Sequence, residues 1–229
     1  MSHTPKSQLS QLIILQEEIR KDFEWAEDKD IESVKKLLQY LDSSNVSEWS
    51  KEAIKHTLIK LEQLINNYPI ITVIGAAIEP ENLLEWYDTD AVFVVADGSI
   101  GVFDELAETK QDWFWKRVLF IVSDADGYPH IELTFGKKIP FILHAHGDNM
   151  DNWKELIDNW KSAELTPPIV VTHQTFCEFD SAINPGGFTD GDRAVCFVLY
   201  LGANLEQIYT CGFNDLTIGI YFTMKIDLS

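Results

Sequence analysis

Four short stretches carry the residues whose types and spacing can do chemistry. In Ser123-Asp-Ala-Asp-Gly127, Asp124 and Asp126 stand at i and i+2, which lets both carboxylates reach one oxygen-liganded cation such as Mg²⁺. In Asn184-Pro-Gly-Gly-Phe-Thr-Asp-Gly-Asp-Arg193, three glycines, two aspartates and an arginine precede the apolar run Ala194 to Leu201, at the mouth of a helix. There Gly187 and Gly191 allow close backbone approach beside Thr189. The unpaired N–H groups of a helix start attract an anion, and Arg193 can fork onto phosphate oxygens. Asp190 and Asp192 would repel that anion unless a cation lay between them, which makes Asp192 a metal candidate together with Asp124 and Asp126. The third stretch is His144-Ala-His-Gly-Asp-Asn149, with His146, Asp148 and Asn149 as candidate contacts. The fourth is Asp97-Gly98-Ser99, where Asp97 and Gly98 follow an apolar run.

Each stretch also has a structural reading. Asp124 or Asp126 can cap a helix opened by Pro129, Asp190 can cap its own helix, and Asp97-Gly98 can be a simple turn. The two histidines can satisfy backbone groups at a strand end. His144-x-His146-x-Asp148 also suits Zn²⁺ and resembles the His-x-His-x-Asp-His run of metallo-β-lactamase-like hydrolases. However, the closing position here is Asn149, and the β-rich sandwich of those enzymes disagrees with the pattern described next.

Positioning these groups falls to a chain whose texture changes at Tyr68-Pro69. Residues 1–67 repeat apolar side chains at helical spacing, as in Val34, Leu37, Leu38 and Leu41 and again in Ile54, Leu58, Leu61, Leu64 and Ile65. Ser47 or Ser50 can cap the third helix, and the region reads as a helical cap or dimerisation element. From 68 to 229 the pattern is that of an α/β catalytic domain. Strands are expected at 70–75, 91–96, 118–122, 141–144, 169–172 and 208–211. Helices are expected at 82–86, 103–109, 129–135, 150–160 and 191–201. Several strands are apolar at consecutive positions, as parallel strands covered on both faces are. The expected fold is therefore α/β, a Rossmann-like, doubly wound, mostly parallel sheet preceded by an N-terminal helical region. Each strand from the second onward runs into small or acidic residues, so the acidic loops should meet at the carboxyl edge, where open parallel sheets bind ligands.

The formal charge of −19 argues against sequence-independent nucleic-acid binding. It also means that a phosphate site here needs backbone N–H groups, local cations and divalent metal. No apolar run approaches the ~20 residues of a membrane span, and the polar start around Lys6 is unlike a signal peptide, so a cytoplasmic protein is expected. Cys177, Cys196 and Cys211 are widely spaced and read as reduced core thiols. Gly75-Ala-Ala lacks the second and third glycines of a dinucleotide fingerprint, which disfavours NAD.

Taken in order, Ala96-Asp-Gly-Ser99, Ser123-Asp-Ala-Asp-Gly127, His144-Ala-His-Gly-Asp-Asn149 and Gly186-Gly-Phe-Thr-Asp-Gly-Asp-Arg193 resemble the archaeal 6-hydroxymethyl-7,8-dihydropterin diphosphokinase family, itself similar in its core to thiamin pyrophosphokinases. The resemblance covers most of residues 68–215, and Glu18-Ile-Arg-Lys-Asp-Phe23 looks like the family's leading helix. It implies diphosphate transfer from ATP to the pterin hydroxymethyl group, with AMP leaving, on the way to a folate or methanopterin-type coenzyme. It implies Asp97, Asp124, Asp126, Asp148, Asp190 and Asp192 around Mg²⁺–ATP and pterin, with Arg193, His146 and Asn149 in support and Asp126 or Asp192 as base. Phe188 or Trp153 could stack on the pterin, although core packing is the expected role of either.

The chain departs from the family twice. It has Gly75-Ala-Ala-Ile-Glu-Pro80 where a Gly-x-Gly-Pro-Ser type loop is usual. It also stops soon after Tyr221 where a closing helix is usual, so that a partner subunit of a homo-oligomer could supply the cover. Two alternatives stay open at this point: a glycosyltransferase-like protein, and a non-catalytic nucleotide- or pterin-binding protein on the same scaffold.

Overall fold

The computed structural model describes residues 6–214 apart from residue 25, with side chains from residue 10 onward. The segment around Tyr221, where the family's closing helix would follow, lies outside the described residues. Three helices come first: α1 (Lys6–Asp22), α2 (Glu27–Ser43) and α3 (Lys51–Ile65). Ser50 caps α3, its hydroxyl accepting the Ala53 N–H at 3.3 Å, and so satisfies one of the donors that every helix start leaves unpaired.

Strands and helices then alternate as β1 (Ile70–Ile74), α4 (Pro80–Leu84), β2 (Ala91–Ala96), α5 (Glu108–Trp115), β3 (Val118–Ser123), β4 (Phe141–Ala145), α6 (Met150–Ser162), β5 (Ile169–His173), β6 (Ala182–Ile183), α7 (Asp190–Tyr200) and β7 (Ile208–Cys211). The seven strands form one sheet in the order β6-β5-β4-β3-β2-β1-β7, and every pairing is parallel. The α/β fold with a parallel sheet is as the apolar runs required. The chain steps outward from β1 to β6, and α7 returns it to β7 on the far side of β1.

Alternate side chains of each strand enter two cores. Phe93, Val95, Ile121, Phe141 and Leu143 pack with Val34, Leu37 and Leu41 of α2, Phe114 of α5, and Leu156, Ile157 and Trp160 of α6. Ile71, Val73, Val92, Val94, Phe120 and Val122 pack with Leu61 and Ile65 of α3 and with Ala194, Phe197, Val198 and Leu201 of α7. Both α2 and α3 thus lie on the sheet, one on each face. Trp49, between them in sequence, donates its indole N–H to Pro167 O at 2.9 Å and locks this region to the entry of β5. Phe197, fully buried and edge-on to Phe120 at 5.3 Å, anchors α7; deleting such a ring costs about 3–5 kcal/mol.

Three local expectations are adjusted. The helix expected at 103–109 is divided into a 3₁₀ helix, Asp97–Glu105, and α5, because Ile100 and Phe103 repeat every three residues and bury together. The helix expected at 129–135 is a 3₁₀ turn, His130–Thr134. The edge strand β6 is two residues long, too short to leave a pattern. Of the cysteines, Cys196 is buried and Cys211 half-buried, but Cys177 is exposed and so is not a core thiol. Among the described residues, no helix is long and apolar enough to cross a membrane.

Candidate active site

The carboxyl ends of β2, β3 and β4 and the start of α7 converge. Carboxylate oxygens of Asp97, Asp124, Asp126 and Asp190 all lie within 4.8 Å of one another. Asp97 opens the 3₁₀ helix after β2 with φ 43°, and Ala125, between the paired aspartates after β3, has φ 73°. Both angles lie where residues with a Cβ are strained. One side chain helps to hold both: the Ser123 hydroxyl donates to Asp97 Oδ1 and accepts the Ala125 N–H at 2.8 Å. Gly127 is required by contact, since a Cβ there would lie 2.4 Å from Asp97 Oδ2 and 2.7 Å from Gly98 N. Neither Asp124 nor Asp126 caps the following 3₁₀ turn, whose N-cap is Pro129 without a side-chain bond.

At the far side of the cluster α7 begins. Thr189 is its N-cap and forms a capping box with Asp192. The Asp192 carboxylate accepts the Phe188 N–H at 2.9 Å, the Thr189 N–H and the Thr189 hydroxyl at 2.7 Å. Asp192, expected at the metal, is therefore not brought to the cluster; it orders the loop that leads into α7. Asp190, which could have been only a cap, is the carboxylate that joins the other three. Gly187, at φ 87°, packs so closely on α7 that a Cβ would lie 2.6 Å from Arg193 N. Arg193 is buried, with one terminal nitrogen 3.2 Å from Asp190 Oδ1 and 3.7 Å from Asp124 Oδ2. Among the described residues its Nε has no hydrogen-bond partner, and neither does Asp124 Oδ1.

His146 and Asn149 support the cluster from β4. His146 Nδ1 accepts the Asp148 N–H at 3.3 Å, which leaves the ring proton on Nε2, 3.2 Å from Asp124 Oδ2. Asn149, buried, donates to Asp124 O at 2.8 Å and His144 O at 2.6 Å, and its Oδ1 accepts the His146 N–H at 3.0 Å. With its amide so engaged, Asn149 is a brace between two loops and has no free edge for a ligand. Asp148 is exposed and stands outside the cluster. Trp153 is buried with its N–H 3.2 Å from Ser33 Oγ, a core residue and not a stacking platform. After β1, Gly75 N and Ala77 N donate to Cys211 O and Gly212 O, each at 2.8 Å. The turn that departs from the family pattern thus closes onto the end of β7.

Electrostatics fix the protonation of the cluster. Two charges 4.8 Å apart repel by about 3 kcal/mol at an effective dielectric of 20. Four ionised carboxylates together would exceed the ~5–15 kcal/mol stability of a domain. Burial, and then repulsion from Asp190, Asp124 and Asp126, pushes Asp97 well above the usual carboxylate range. Burial and Asp124 do the same to Asp190, against the pull of Arg193. Burial also works against ionising Asp124, but the His146 hydrogen bond and the Arg193 charge outweigh it and bring Asp124 down to about 2. Without a cation, burial and mutual repulsion favour the protonated forms of Asp97 and Asp190. A hard divalent cation fits it: the donors are all carboxylate oxygen, one buried oxygen lacks a partner among the described residues, and the protons can be displaced. The His144/His146/Asp148 set is not gathered as a second metal site. His144 is buried, its Nδ1 3.0 Å from Thr172 Oγ1, and burial keeps it neutral.

Sequence reading passes over four residues that shape this site. Ser123 and Asn184 lie inside the motifs, whereas Gln16 and Asp30 lie in the N-terminal helices. Gln16 donates to Gly187 O at 2.7 Å and accepts from the Asn184 amide at 2.9 Å, holding the glycine loop against α1. In the sequence Gln16 and Asp30 read as ordinary polar positions of amphipathic helices, and nothing marks them.

These features define a Rossmann-like α/β protein with a carboxylate cluster and a buried arginine at the carboxyl edge of its sheet. Two curated archaeal proteins are similar to it in sequence. It is 32% identical over 145 residues, 63% of its length, to a protein of Pyrococcus furiosus named 6-hydroxymethyl-7,8-dihydropterin pyrophosphokinase. It is 28% identical over 220 residues, 92% of its length, to a protein of the same name from Methanocaldococcus jannaschii. The aligned part spans 55% of the first relative and 80% of the second. No family model and no solved structure matches the chain. Both relatives bear one name, so over the aligned residues the chain is similar to archaeal proteins named 6-hydroxymethyl-7,8-dihydropterin pyrophosphokinase.

Proposed function

We propose that this chain transfers the diphosphate of ATP to the hydroxymethyl group of 6-hydroxymethyl-7,8-dihydropterin and releases AMP. The observation that carries the reading is the cluster of Asp97, Asp124, Asp126 and Asp190 beside the buried Arg193, an arrangement that suits a cation with an anionic substrate. The alcohol oxygen attacks the β-phosphorus, the bond from that phosphorus to the α,β-bridging oxygen breaks, and AMP leaves with the electron pair. Such a displacement needs in-line positioning and charge neutralisation more than covalent chemistry. Asp97, Asp124, Asp126 and Asp190 would hold Mg²⁺, which when bound neutralises phosphate charge and the leaving AMP.

The protein's own groups do the remainder. Arg193 and the first turn of α7 would meet the phosphate chain, at a helix start that favours anions. His146 and Arg193 keep Asp124 ionised. Asp126 accepts the alcohol proton; Asp192 is the poorer candidate because the Phe188 and Thr189 N–H groups already bind its carboxylate. The product would serve a folate or methanopterin-type coenzyme.

A second reading, binding without turnover, is favoured by the turn after β1, whose Gly75 and Ala77 N–H groups are taken by β7 and the residue after it. One experiment separates the two. The protein is incubated with ATP, the pterin and Mg²⁺ or Mn²⁺, and AMP is measured beside Asp126→Asn. Pterin-dependent AMP lost in Asp126→Asn supports transfer. Tight binding of ATP and pterin with no AMP supports the second reading and overturns the first.

A further inference from the structure

We propose that Asp30, backed by Arg20, is a positioning residue for this reaction, fixing from α2 the turn whose imidazole holds Asp124. The inference rests on the phosphotransfer reading above. Asp30 Oδ1 accepts the Gly147 N–H at 2.7 Å, and Oδ2 accepts from the Gln174 amide at 2.9 Å. One carboxylate therefore joins the loop after β4 to the loop after β5. Arg20, from α1, lies 3.4 Å from Oδ2 and donates from its other terminal nitrogen to Gln174 O. Both residues are nearly inaccessible, Asp30 at 6% and Arg20 at 5% exposure.

Packing alone does not call for this pair, because desolvating two charges costs free energy that apolar side chains of similar volume avoid. What the pair does is local. Gly147 is seated so closely on α2 that a Cβ there would lie 2.6 Å from Lys29 Cβ. Its N–H, once held by Asp30, sets the turn in which the Asp148 N–H meets His146 Nδ1 and Asn149 Oδ1 meets the His146 N–H. That turn aims His146 Nε2 at Asp124 Oδ2, 3.2 Å away. Asp30 touches no reacting group and acts through Gly147 and His146, as outer hydrogen-bond partners of cation sites do, with effects of about 10–100-fold.

Two double variants that differ in the hydrogen bonds offered to Gly147 and Gln174 test the inference. Arg20→Met/Asp30→Leu removes the acceptor for the Gly147 N–H, whereas Arg20→Met/Asp30→Asn keeps it, and both discard the buried charges together. Mn²⁺ binding is followed by electron paramagnetic resonance, and AMP release is expressed per folded molecule. The Leu version should bind Mn²⁺ about tenfold more weakly than the Asn version and turn over about tenfold more slowly, with KM for ATP within about twofold. Equal Mn²⁺ affinity and equal turnover in the two would overturn the inference. Should the Leu version not fold, Arg20→Met/Asp30→Ala, read per folded molecule, takes its place. If the wild type itself releases no AMP, the phosphotransfer reading falls, while the Mn²⁺ comparison still decides the role of Asp30.

Discussion

Replacing Gly127 with alanine probes the contact on which the carboxylate cluster depends. The added methyl would lie 2.4 Å from Asp97 Oδ2, 2.7 Å from Asp97 Cγ and 2.7 Å from Gly98 N. Non-bonded atoms settle near ~3.5–4.0 Å, so either Asp97 or the loop of residues 124–127 must retreat by about 1 Å. Gly127 does not have a positive φ, so the effect comes from contact and not from backbone strain. Asp97 has little freedom to move, being buried and held by the Ser123 hydroxyl. Overpacking of this kind costs about 1–3 kcal/mol, which leaves a domain of ~5–15 kcal/mol folded. A misplacement of about 1 Å costs on the order of 100-fold in rate. The expected outcome is a melting temperature lowered by several degrees in scanning calorimetry, with AMP release at saturating ATP reduced about a hundredfold. A variant that loses stability and keeps wild-type turnover would refute the reasoning that Asp97 and the 124–127 loop must keep their spacing.

Other expectations follow from individual residues. Asp190→Asn should remove cation-dependent stabilisation while leaving the melting temperature without cation unchanged or raised, because the neutral amide avoids the burial and repulsion that drive Asp190 towards its protonated form. Asp192→Asn should instead lower that temperature through the weakened cap, by about 1 kcal/mol of stability, and keep cation binding within a few-fold; calorimetry with and without Mn²⁺ distinguishes them. The carboxyls of Asp97 and Asp190 are pushed above their ordinary values, so at low pH a cation must displace their protons. The Mg²⁺-induced rise in melting temperature should therefore grow as pH rises, and a rise independent of pH would contradict the protonation described. His173 is buried, and burial brings it from 6.5 down to about 4. Its folded form binds fewer protons than its unfolded form between those values. Its contribution is thus complete above pH ~6.5 and is lost as pH falls towards ~4, a change of about 3 kcal/mol. Denaturant melts of wild type and His173→Gln across that window should show the wild type losing more stability on acidification.

Much of this architecture is legible in the chain because parallel strands buried on both faces are written as consecutive apolar residues. Val92 to Val95 and Ile169 to Val171 could be little else, and each runs into the loop that follows its strand at the carboxyl edge. The glycine-rich stretch announces a helix mouth, and the i, i+2 spacing of Asp124 and Asp126 does bring both to one point. The spacing could not say which of Asp190 and Asp192 faces the cluster. Two residues along a helix start diverge by about 200°, so one carboxylate turns to the loop backbone and the other to the site. The Thr189-x-x-Asp192 spacing of a capping box was the available signal. Nothing comparable marks Asp30, Gln16 or Ser123. Their roles depend on partners distant in sequence, Asp97 for Ser123, Gly147 for Asp30 and Gly187 for Gln16, brought close by the layering of α1, α2 and the sheet.

The proposed activity moves a diphosphoryl group. ³¹P nuclear magnetic resonance of a reaction mixture containing the protein, ATP, Mg²⁺ and 6-hydroxymethyl-7,8-dihydropterin observes that group directly. AMP should grow together with a pair of doublets from a diphosphate ester, without ADP. Accumulation of ADP with a monophosphate ester or free phosphate would contradict it, as would an unchanged ATP spectrum from folded, cation-loaded protein.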